Sequence, residues 1–272
     1  MRRVRLIEDA MDRYLEVPDR PARIVSLVPS VTELLFDLGA GARVCGVSTY
    51  CTEPGGNALD GIARVGGQKD PDREAIIALQ PDLVIAIKEE NVSRDVAALT
   101  ARGIAVYVGD VRSVEDAVGF IGEIADLVDG EASRAEALVT AVRRGVDEAR
   151  RIAAQHPPVR VFCPVWRDPW IGLSHDTYLF DALRVCGADP ITPNKHRARY
   201  PKVTLDEVRA LFPRLALLPD EPYAFTEKDA ADLAAAGIAP SRLVDGKSIA
   251  WYGRRTGDLA QVAALIRDSQ LP

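Results

Sequence analysis

Residues 133–155, SRAEALVTAVRRGVDEARRIAAQ, predict one unbroken helix near the middle of a chain of 272 residues. Its apolar residues recur at helical spacing, while arginine and glutamate fill the other faces. Ser133 and Glu136 form a capping-box pattern at its start. At about 1.5 Å per residue the helix is roughly 34 Å long, about the width of a small domain. It forms a stiff rod, with Gly145 as a weak point.

The two halves on either side of this rod resemble each other. Residues 73–86, REAIIALQPDLVIA, align with residues 205–218, LDEVRALFPRLALL, and share an Ala-Leu pair, a proline and a leucine. Upstream, RIVSL at 23–27 and RVFCP at 160–164 each read as a strand followed by a helix. Strands that alternate with helices predict mostly parallel sheets, whose ligands collect beyond the carboxyl ends of the strands.

The repeat predicts an α/β fold of two lobes with mostly parallel sheets, joined by one long rigid helix, with a ligand cleft between the lobes. Three local expectations accompany it. The residues before Pro21 form an extended lead-in, Asp70 caps a helix with Pro71 in its first turn, and residues 249–253 form a loop. The predicted boundaries are 1–130 for the first lobe, 131–157 for the helix and 158–272 for the second lobe.

Composition excludes several classes of protein. With 47% hydrophobic residues and a net charge of −6, the chain is globular and lacks the basic surface that nucleic acids require. No apolar run reaches the length of a transmembrane helix. Residues 1–9 lack the apolar core of a secretory signal. We therefore expect a cytoplasmic protein as the sequence is printed, or a periplasmic or cell-surface protein whose leader has been removed.

Motifs for catalysis and metal binding are scarce. The sequence lacks GxGxxG after a strand, GxxxxGK[ST], GxSxG and HExxH, and its four cysteines lack CxxC spacing. The run Ser174-His175-Asp176 is not a catalytic triad, because sequence neighbours do not align as nucleophile, base and orienting acid. We expect no catalytic residue, no metal site and no cofactor. Cys51, in a loop, is reactive, touches a ligand, or does neither.

Large aromatic residues gather in predicted loops, most of them in the second half. Such residues at strand ends suit a flat or bulky ligand, although any single one could instead fill a gap in the core. Arg167 and Arg199 could hold an anionic group or pair with a nearby carboxylate. Glu89 and Glu90 follow a strand and are the best acidic candidates. The aromatic residues are Tyr50 in the first half and Trp166, Trp170, Tyr200, Tyr223, Trp251 and Tyr252 in the second.

Several motifs carry a resemblance to a known family. RIVSLVPSVTELL at 23–35, VCGVSTYC at 44–51, VGG at 65–67 and WRDPW at 166–170 resemble the substrate-binding proteins of cobalamin and iron-siderophore ABC importers. The resemblance covers nearly the whole chain from about Arg5 onward. It implies two α/β lobes joined by a single long helix, which agrees with the fold predicted from the repeat.

The resemblance also implies roles for particular residues. Gln68 replaces the large apolar or aromatic residue that often follows the Gly-Gly pair. Glu74 and Asp206, aided by Glu207, match acids that dock on a dimeric permease, although carboxylates are common in the first turn of a helix and Glu207 already fits a capping box with Thr204. The predicted ligand contacts are Tyr50, Cys51, Gln68, Glu89, Trp166, Arg167, Trp170, Tyr200, Trp251 and Tyr252.

The leading hypothesis is a monomeric, non-enzymatic solute-binding protein of an ABC importer. Its ligand would be a corrinoid such as cobalamin or a ferric siderophore, and its partner a permease dimer. A second hypothesis is a cytoplasmic enzyme or corrinoid-handling protein that uses Glu89, Arg167 or His175. A third is a scaffold whose cleft holds no ligand.

Overall fold

The computed structural model describes residues 3–193, 198–238 and 240–270. The chain divides into two compact units. Unit 1 consists of Met1–Val111 with Val118–Thr140, and unit 2 of Arg112–Ala117 with Ala141–Pro272.

Unit 1 is built on a parallel sheet with an antiparallel hairpin beside it. Its strands are β1 (Val4–Glu8), β2 (Tyr14–Pro18), β3 (Ile24–Ser26), β4 (Val44–Val47), β5 (Ala63–Arg64), β6 (Leu83–Ile87) and β7 (Val106–Gly109). The parallel sheet has the order β5-β4-β3-β6-β7, and β6 is buried along its whole length. Its helices are α1 (Pro29–Asp37), α2 (Arg73–Ala78), α3 (Ser93–Thr100) and α4 (Val114–Val128), of which α4 begins in a segment of unit 2.

The first residues of the chain form the hairpin β1-β2, which corrects the predicted extended lead-in. The turn of this hairpin lies against the outer edge of β7. Ala10 N donates to Val108 O over 3.0 Å, the Asp9 carboxylate accepts from Val108 N, and Arg13 Nη2 donates to Val106 O over 2.9 Å. These contacts satisfy backbone groups that an edge strand would otherwise leave open to other chains.

The predicted rod is confirmed as α5 (Ala132–Ala153), which passes from unit 1 into unit 2 after Thr140. Val142, Val146 and Ala149 are buried along it, as their helical spacing predicts. The helix continues through Gly145, where a Cβ atom would overlap the backbone carbonyl of Gly257. Within the described part of the chain, α5 and the other helices are all too short or too polar to cross a membrane.

Unit 2 contains a second parallel sheet, with the order β11-β10-β8-β9. Its strands are β8 (Val159–Phe162), β9 (Ala188–Pro190), β10 (Leu215–Pro219) and β11 (Ser241–Val244). Its helices are α6 (Tyr178–Val185), α7 (Leu205–Arg209), α8 (Glu227–Ala235), α9 (Lys247–Ala250) and α10 (Leu259–Asp268). The capping box predicted at Thr204 and Glu207 is present at the start of α7.

The internal repeat is visible in the order of the strands. The sequence β4-β3-β6-β7 in unit 1 corresponds to β9-β8-β10-β11 in unit 2. Gln80 and Phe212 end equivalent helices with φ angles of 46° and 51°, each directly before a proline. The two units are therefore built on the same chain path, as the aligned sequences predict.

Two local predictions need correction. Asp72 rather than Asp70 caps α2, because its side chain accepts from Ala75 N over 3.0 Å. The predicted loop at 249–253 includes the end of α9, since Ile249 and Ala250 are helical. The short strands β5 and β9 were missed, because runs of two or three residues carry too little periodicity to be recognised.

Candidate functional site

Each sheet has one place where the direction of strand addition reverses. In unit 1 the chain adds β4 on one side of β3 and later adds β6 on the other. In unit 2 it adds β9 on one side of β8 and then β10 on the other. Ligands of open α/β sheets bind outside the carboxyl ends of the strands at such a reversal. A ligand site is therefore expected at the loops after β3 and β6 in unit 1, or at the loops after β8 and β10 in unit 2.

The loops after β8 and β10 carry a continuous group of aromatic rings, here called the aromatic cluster. Trp170 stacks on Phe225 with centroids 5.8 Å apart and planes 9° apart, and Tyr223 lies 4.6 Å from Phe225. Trp166 meets Tyr223 edge to face at 5.4 Å and keeps 45% of its surface exposed. The members, from the sheet outward, are Phe162, Trp170, Phe225, Tyr223 and Trp166.

Arg167 is fixed between this cluster and α8. Its guanidinium lies 5.3 Å from the Trp170 ring centroid, donates to Asp229, and donates through Nη2 to Asp232 over 2.6 Å. The hydrogen bonds that Arg167 donates to Asp229 and then to Asp232 raise the pKa of the guanidinium. Asp168 is a more distant neighbour, 3.8 Å away. Arg167 therefore directs its donors to its own unit, an arrangement different from a cation held open for an anion.

A backbone bridge joins the loop of Trp166 to the segment of Tyr200. Ile171 N donates to Trp166 O, and Val203 N donates to Trp170 O over 2.9 Å. Ile171 also forms a β-bridge with Lys202. The partly exposed Tyr200 is thereby held on a segment bonded to the loop of the aromatic cluster. His196 and Arg197, just before it, lie outside the described residues.

A cavity of about 400 Å³ lies beside the same segment, with Ser174, His175, Asp176 and Arg199 among its lining residues. Ser174 donates its hydroxyl hydrogen bond to Asp176 rather than to His175. This bond, followed by the charge of Arg199, lowers the pKa of Asp176. Arg199 Nε lies 3.2 Å from the Asp176 carboxylate. Arg199 and Asp176 therefore form an ion pair beside this cavity.

Trp251 and Tyr252, predicted as ligand contacts in a loop, belong to the interior of unit 2. Trp251 is only 6% exposed, and its Nε1 donates to Glu221 Oε2 over 2.7 Å. Burial raises the pKa of Glu221, against the effect of this hydrogen bond. Tyr252 is buried and packs edge to face on Tyr178 at 5.0 Å. Both side chains are packed as core aromatics, which corrects the picture of free loop anchors; their contact with a ligand stays a prediction.

In unit 1, the loops at the carboxyl ends of the strands are polar, unlike the aromatic loops of unit 2. Gln68 Nε2 donates to Glu90 Oε2 over 3.1 Å, Asn91 Nδ2 donates to Gln68 O, and Lys69 Nζ donates to Glu89 O over 2.8 Å. These contacts join the loop after β5 to the loop after β6. Tyr50, exposed over 63% of its surface, lies next to this network, where a Cβ atom on Gly67 would touch its ring.

Cys51 follows Tyr50 but is buried. Its sulfur lies 3.1 Å from the Thr32 hydroxyl, and burial raises the pKa of the thiol to about 11. The thiol is therefore protonated at neutral pH and has little nucleophilic character. Cys45, Cys163 and Cys186 are free cysteines as well.

The predicted docking acids lie at equivalent positions of the repeat. Glu74 in α2 and Asp206 in α7 have side chains 80% and 84% exposed. Each has one arginine of its own unit nearby, Arg102 for Glu74 and Arg209 for Asp206. Glu207 is bound to its capping box, since its Oε2 accepts from Thr204 N over 2.8 Å.

Sequence reasoning missed the partners that hold the site together. Phe225 joins Trp170 to Tyr223, which the sequence places among the loop aromatics, and Asp229 and Asp232 hold Arg167. The signal available for Asp229 was its place three residues after Thr226, which is a capping-box spacing. Within residues 3–193, 198–238 and 240–270, no group of three His, Cys, Asp or Glu side chains is arranged to hold a metal ion.

Comparison with known proteins supports the same fold. A vitamin B12-binding protein of Yersinia pestis is 26% identical over 205 residues, which are 75% of this chain and 72% of that protein. The crystal structure of a periplasmic vitamin B12 binding protein of Vibrio cholerae matches with a TM-score of 0.78 and 23% identity, over 94% of this chain and 100% of that one. A periplasmic heme binding protein of Pseudomonas aeruginosa matches with a TM-score of 0.74 and 23% identity, over 93% and 95%.

The structural matches confirm the predicted α/β fold class. The sequence model of one family, described as periplasmic binding protein, matches residues 24–218. Because that match covers well over half of the 272 residues, the chain belongs to the periplasmic binding protein family.

Proposed function

We propose that this protein is the solute-binding component of an ABC importer and that its ligand is a corrinoid or another bulky metal chelate. The observation that carries the proposal is the aromatic cluster at the strand-order reversal of unit 2, where the exposed Trp166 is braced by Tyr223. A ring system offers such a surface both apolar area and stacking contacts.

The relatives support this choice of ligand class. The similar proteins of Yersinia pestis and Vibrio cholerae bind vitamin B12, and the one of Pseudomonas aeruginosa binds heme. Both ligands are large, flat rings around a metal ion. In both ligands the ring itself coordinates the metal ion. A binding protein can therefore hold the ligand by stacking and hydrogen bonds without a metal site of its own.

A binding protein of an importer also needs a permease. Glu74 and Asp206 are suitable for this contact, because each projects an exposed carboxylate from the start of a short helix in its own unit. Two equivalent acids, one in each unit, suit a permease made of two copies. The protein would then act outside the cytoplasmic membrane, in the periplasm or at the cell surface.

The experiment is equilibration of the purified protein with cyanocobalamin, heme and several ferric siderophores, followed by removal of free ligand and recording of the visible spectrum. We expect one class to stay bound, with its absorbance in proportion to the protein. If none is retained at micromolar concentrations, the proposal fails, and the cytoplasmic enzyme and the empty scaffold become the hypotheses to test.

A further inference from the structure

The charges around the aromatic cluster differ from those of a site for an anion. Arg167 is the cation in contact with Trp170, and three carboxylates lie within 4 Å of its guanidinium. The side chain of Asp229 is buried, that of Asp232 is partly exposed, and that of Asp168 is almost fully exposed. One positive and three negative charges leave this group with a net charge of −2.

The carboxylate of Asp229 is held in its charged form. Burial raises the pKa of Asp229, but the hydrogen bonds from Arg167 and from Thr226 outweigh it and lower the pKa overall. Thr226 N and Thr226 Oγ1 donate to Asp229 over 2.8 and 2.9 Å, which fixes this carboxylate at the start of α8. Asp232, three residues further along the helix, keeps Arg167 directed toward α8.

We infer that this charged group selects ligands with an uncharged or cationic periphery and disfavours those with carboxylates near Trp166. The inference rests on the proposed function and adds a specificity that the fold alone does not supply. A ligand carboxylate beside Trp166 would meet a guanidinium that already donates to Asp229 and Asp232, and a negative net charge. An amide at the same place carries no charge and is not repelled.

The size of the effect is modest, because water and salt screen charges at an open surface. A unit charge about 8 Å from two excess negative charges is disfavoured by a factor of about 3 to 10 in water at low ionic strength. The effect decreases as salt is added, since the Debye length at physiological ionic strength is about 8 Å. Asp232 and Asp168 are more exposed than Asp229, and Asp229 keeps its hydrogen bonds from Thr226 when either is neutralised.

The test compares cyanocobalamin with its monocarboxylic acids, in which one peripheral propionamide has been hydrolysed. The two probes share ring, metal and size and differ by one charge. At low salt, the unchanged protein should bind cyanocobalamin about 3 to 10 times more tightly than the monocarboxylic acid whose carboxylate lies nearest Trp166. Asp232→Asn should reduce this ratio about twofold, while Glu148→Gln should leave it unchanged.

Glu148→Gln is the matched control, because Glu148 is also an exposed acid paired with an arginine, but on α5. Thermal unfolding of both variants verifies that each is folded. Equal affinity for cyanocobalamin and for every monocarboxylic acid overturns the inference and leaves the proposed function intact. A ratio that Asp232→Asn does not change also overturns it. Failure of both probes to bind contradicts a corrinoid as ligand and removes the basis of the inference.

Discussion

Units 1 and 2 follow the same path through their sheets but differ at the carboxyl ends of the strands. In unit 2 the loops after β8 and β10 meet through stacked rings, from Trp170 to Trp166. In unit 1 the corresponding edge is held by amide and carboxylate groups, such as the pair Gln68 and Glu90. Buried strands determine the path, whereas the loops beyond them are free to change chemistry. The chain path is therefore common to both units, whereas the chemistry at the carboxyl ends of the strands is particular to each.

The largest effect is expected at Glu74 and Asp206, the exposed acids that occupy equivalent positions in the two units. Changing Glu74→Lys together with Asp206→Lys should abolish stimulation of the ATPase of a cognate transporter, because both exposed carboxylates would become repulsive to a basic permease surface. Ligand affinity should not change, since both carboxylates are exposed and neither belongs to the aromatic cluster. The measurement is ATP hydrolysis by the reconstituted transporter.

Single reversals sharpen this prediction. If the units contribute equally, Glu74→Lys and Asp206→Lys should each weaken stimulation to a similar extent. Full stimulation by the double variant would argue against an importer role for these acids. Glu148→Lys, a reversal at an exposed acid of α5, is the control and should leave stimulation unchanged.

The next largest effect is on stability, and it distinguishes the buried Trp251 of unit 2 from the exposed Tyr50 of unit 1. Trp251→Ala should lower the free energy of unfolding by about 3–5 kcal/mol, because it removes a buried ring and leaves the Glu221 carboxylate without its donor. Tyr50→Ala, at an exposed ring, should change it by less than about 0.5 kcal/mol. Chemical denaturation measures both. A small loss with Trp251→Ala would show that its ring is not a core contact.

A smaller effect concerns α5, which belongs to both units. Gly145→Ala should destabilise the protein by about 1–3 kcal/mol, because the added methyl group would overlap the carbonyl of Gly257. The control is Gly122→Ala in α4, where a Cβ atom has open space. That change should stabilise the protein by about 0.4–1 kcal/mol, as alanine favours a helix over glycine. Equal effects of the two changes would contradict the close approach at Gly145.

The smallest effect is a difference in pH dependence. In unit 1, burial of Asp9 is outweighed by hydrogen bonds from Arg13 and the backbone, so its pKa is lowered and its stabilisation is lost as pH falls through the folded-state pKa. In unit 2, burial raises the pKa of Glu221, so its stabilisation is present at acidic pH and lost as pH rises through the folded-state pKa.

Substitution of Asp9 or Glu221 should remove the pH dependence of stability that each carboxyl group contributes, and the two effects should have opposite signs. Asp9→Asn should destabilise the protein more at neutral than at acidic pH, and Glu221→Gln should be most favourable at neutral pH, relative to the unchanged protein. Denaturation midpoints measured between about pH 2 and pH 8 test both signs, because the Asp9 effect falls at the acidic end of this range and the Glu221 effect above it. A pH profile that shifts the same way in both variants would refute the assignment.

The fold was accessible from the sequence because its strongest signals are local and periodic. The apolar run at β6 and the helical spacing in α5 predict buried elements regardless of what surrounds them. The hairpin β1-β2 was missed because β1 contains no buried residue and exposes Val4 and Leu6, so its hydrophobic pattern does not mark a buried face. Its attachment to β7 depends on residues about a hundred positions away, which no local pattern reveals.

The site was accessible only in part, for the same reason. The sequence indicated that Trp166 and Trp170 lie in one loop, but the ring that braces Trp166 is that of Tyr223, in the loop after β10. Trp166 and Trp251 have the same residue type and the same predicted setting, yet one is exposed and the other buried. Burial depends on the packing of the whole unit, so local sequence could not distinguish them.

The most direct test of the account is quenching of tryptophan emission by cyanocobalamin. All three tryptophans are in unit 2, and Trp166 is the one with a largely exposed ring. We predict saturable quenching at a ratio of one ligand to one protein. Trp166→Phe, which keeps an aromatic ring, should remove much of the quenching amplitude while retaining most of the affinity. Trp166→Ala should weaken binding by about 1–3 kcal/mol.

Stability serves as the control for this measurement, since Trp166→Phe and Trp166→Ala should both unfold close to the midpoint of the unchanged protein. Saturable quenching that depends on Trp166 would support ligand binding at the aromatic cluster. Binding with full affinity and full quenching in Trp166→Ala would contradict that location.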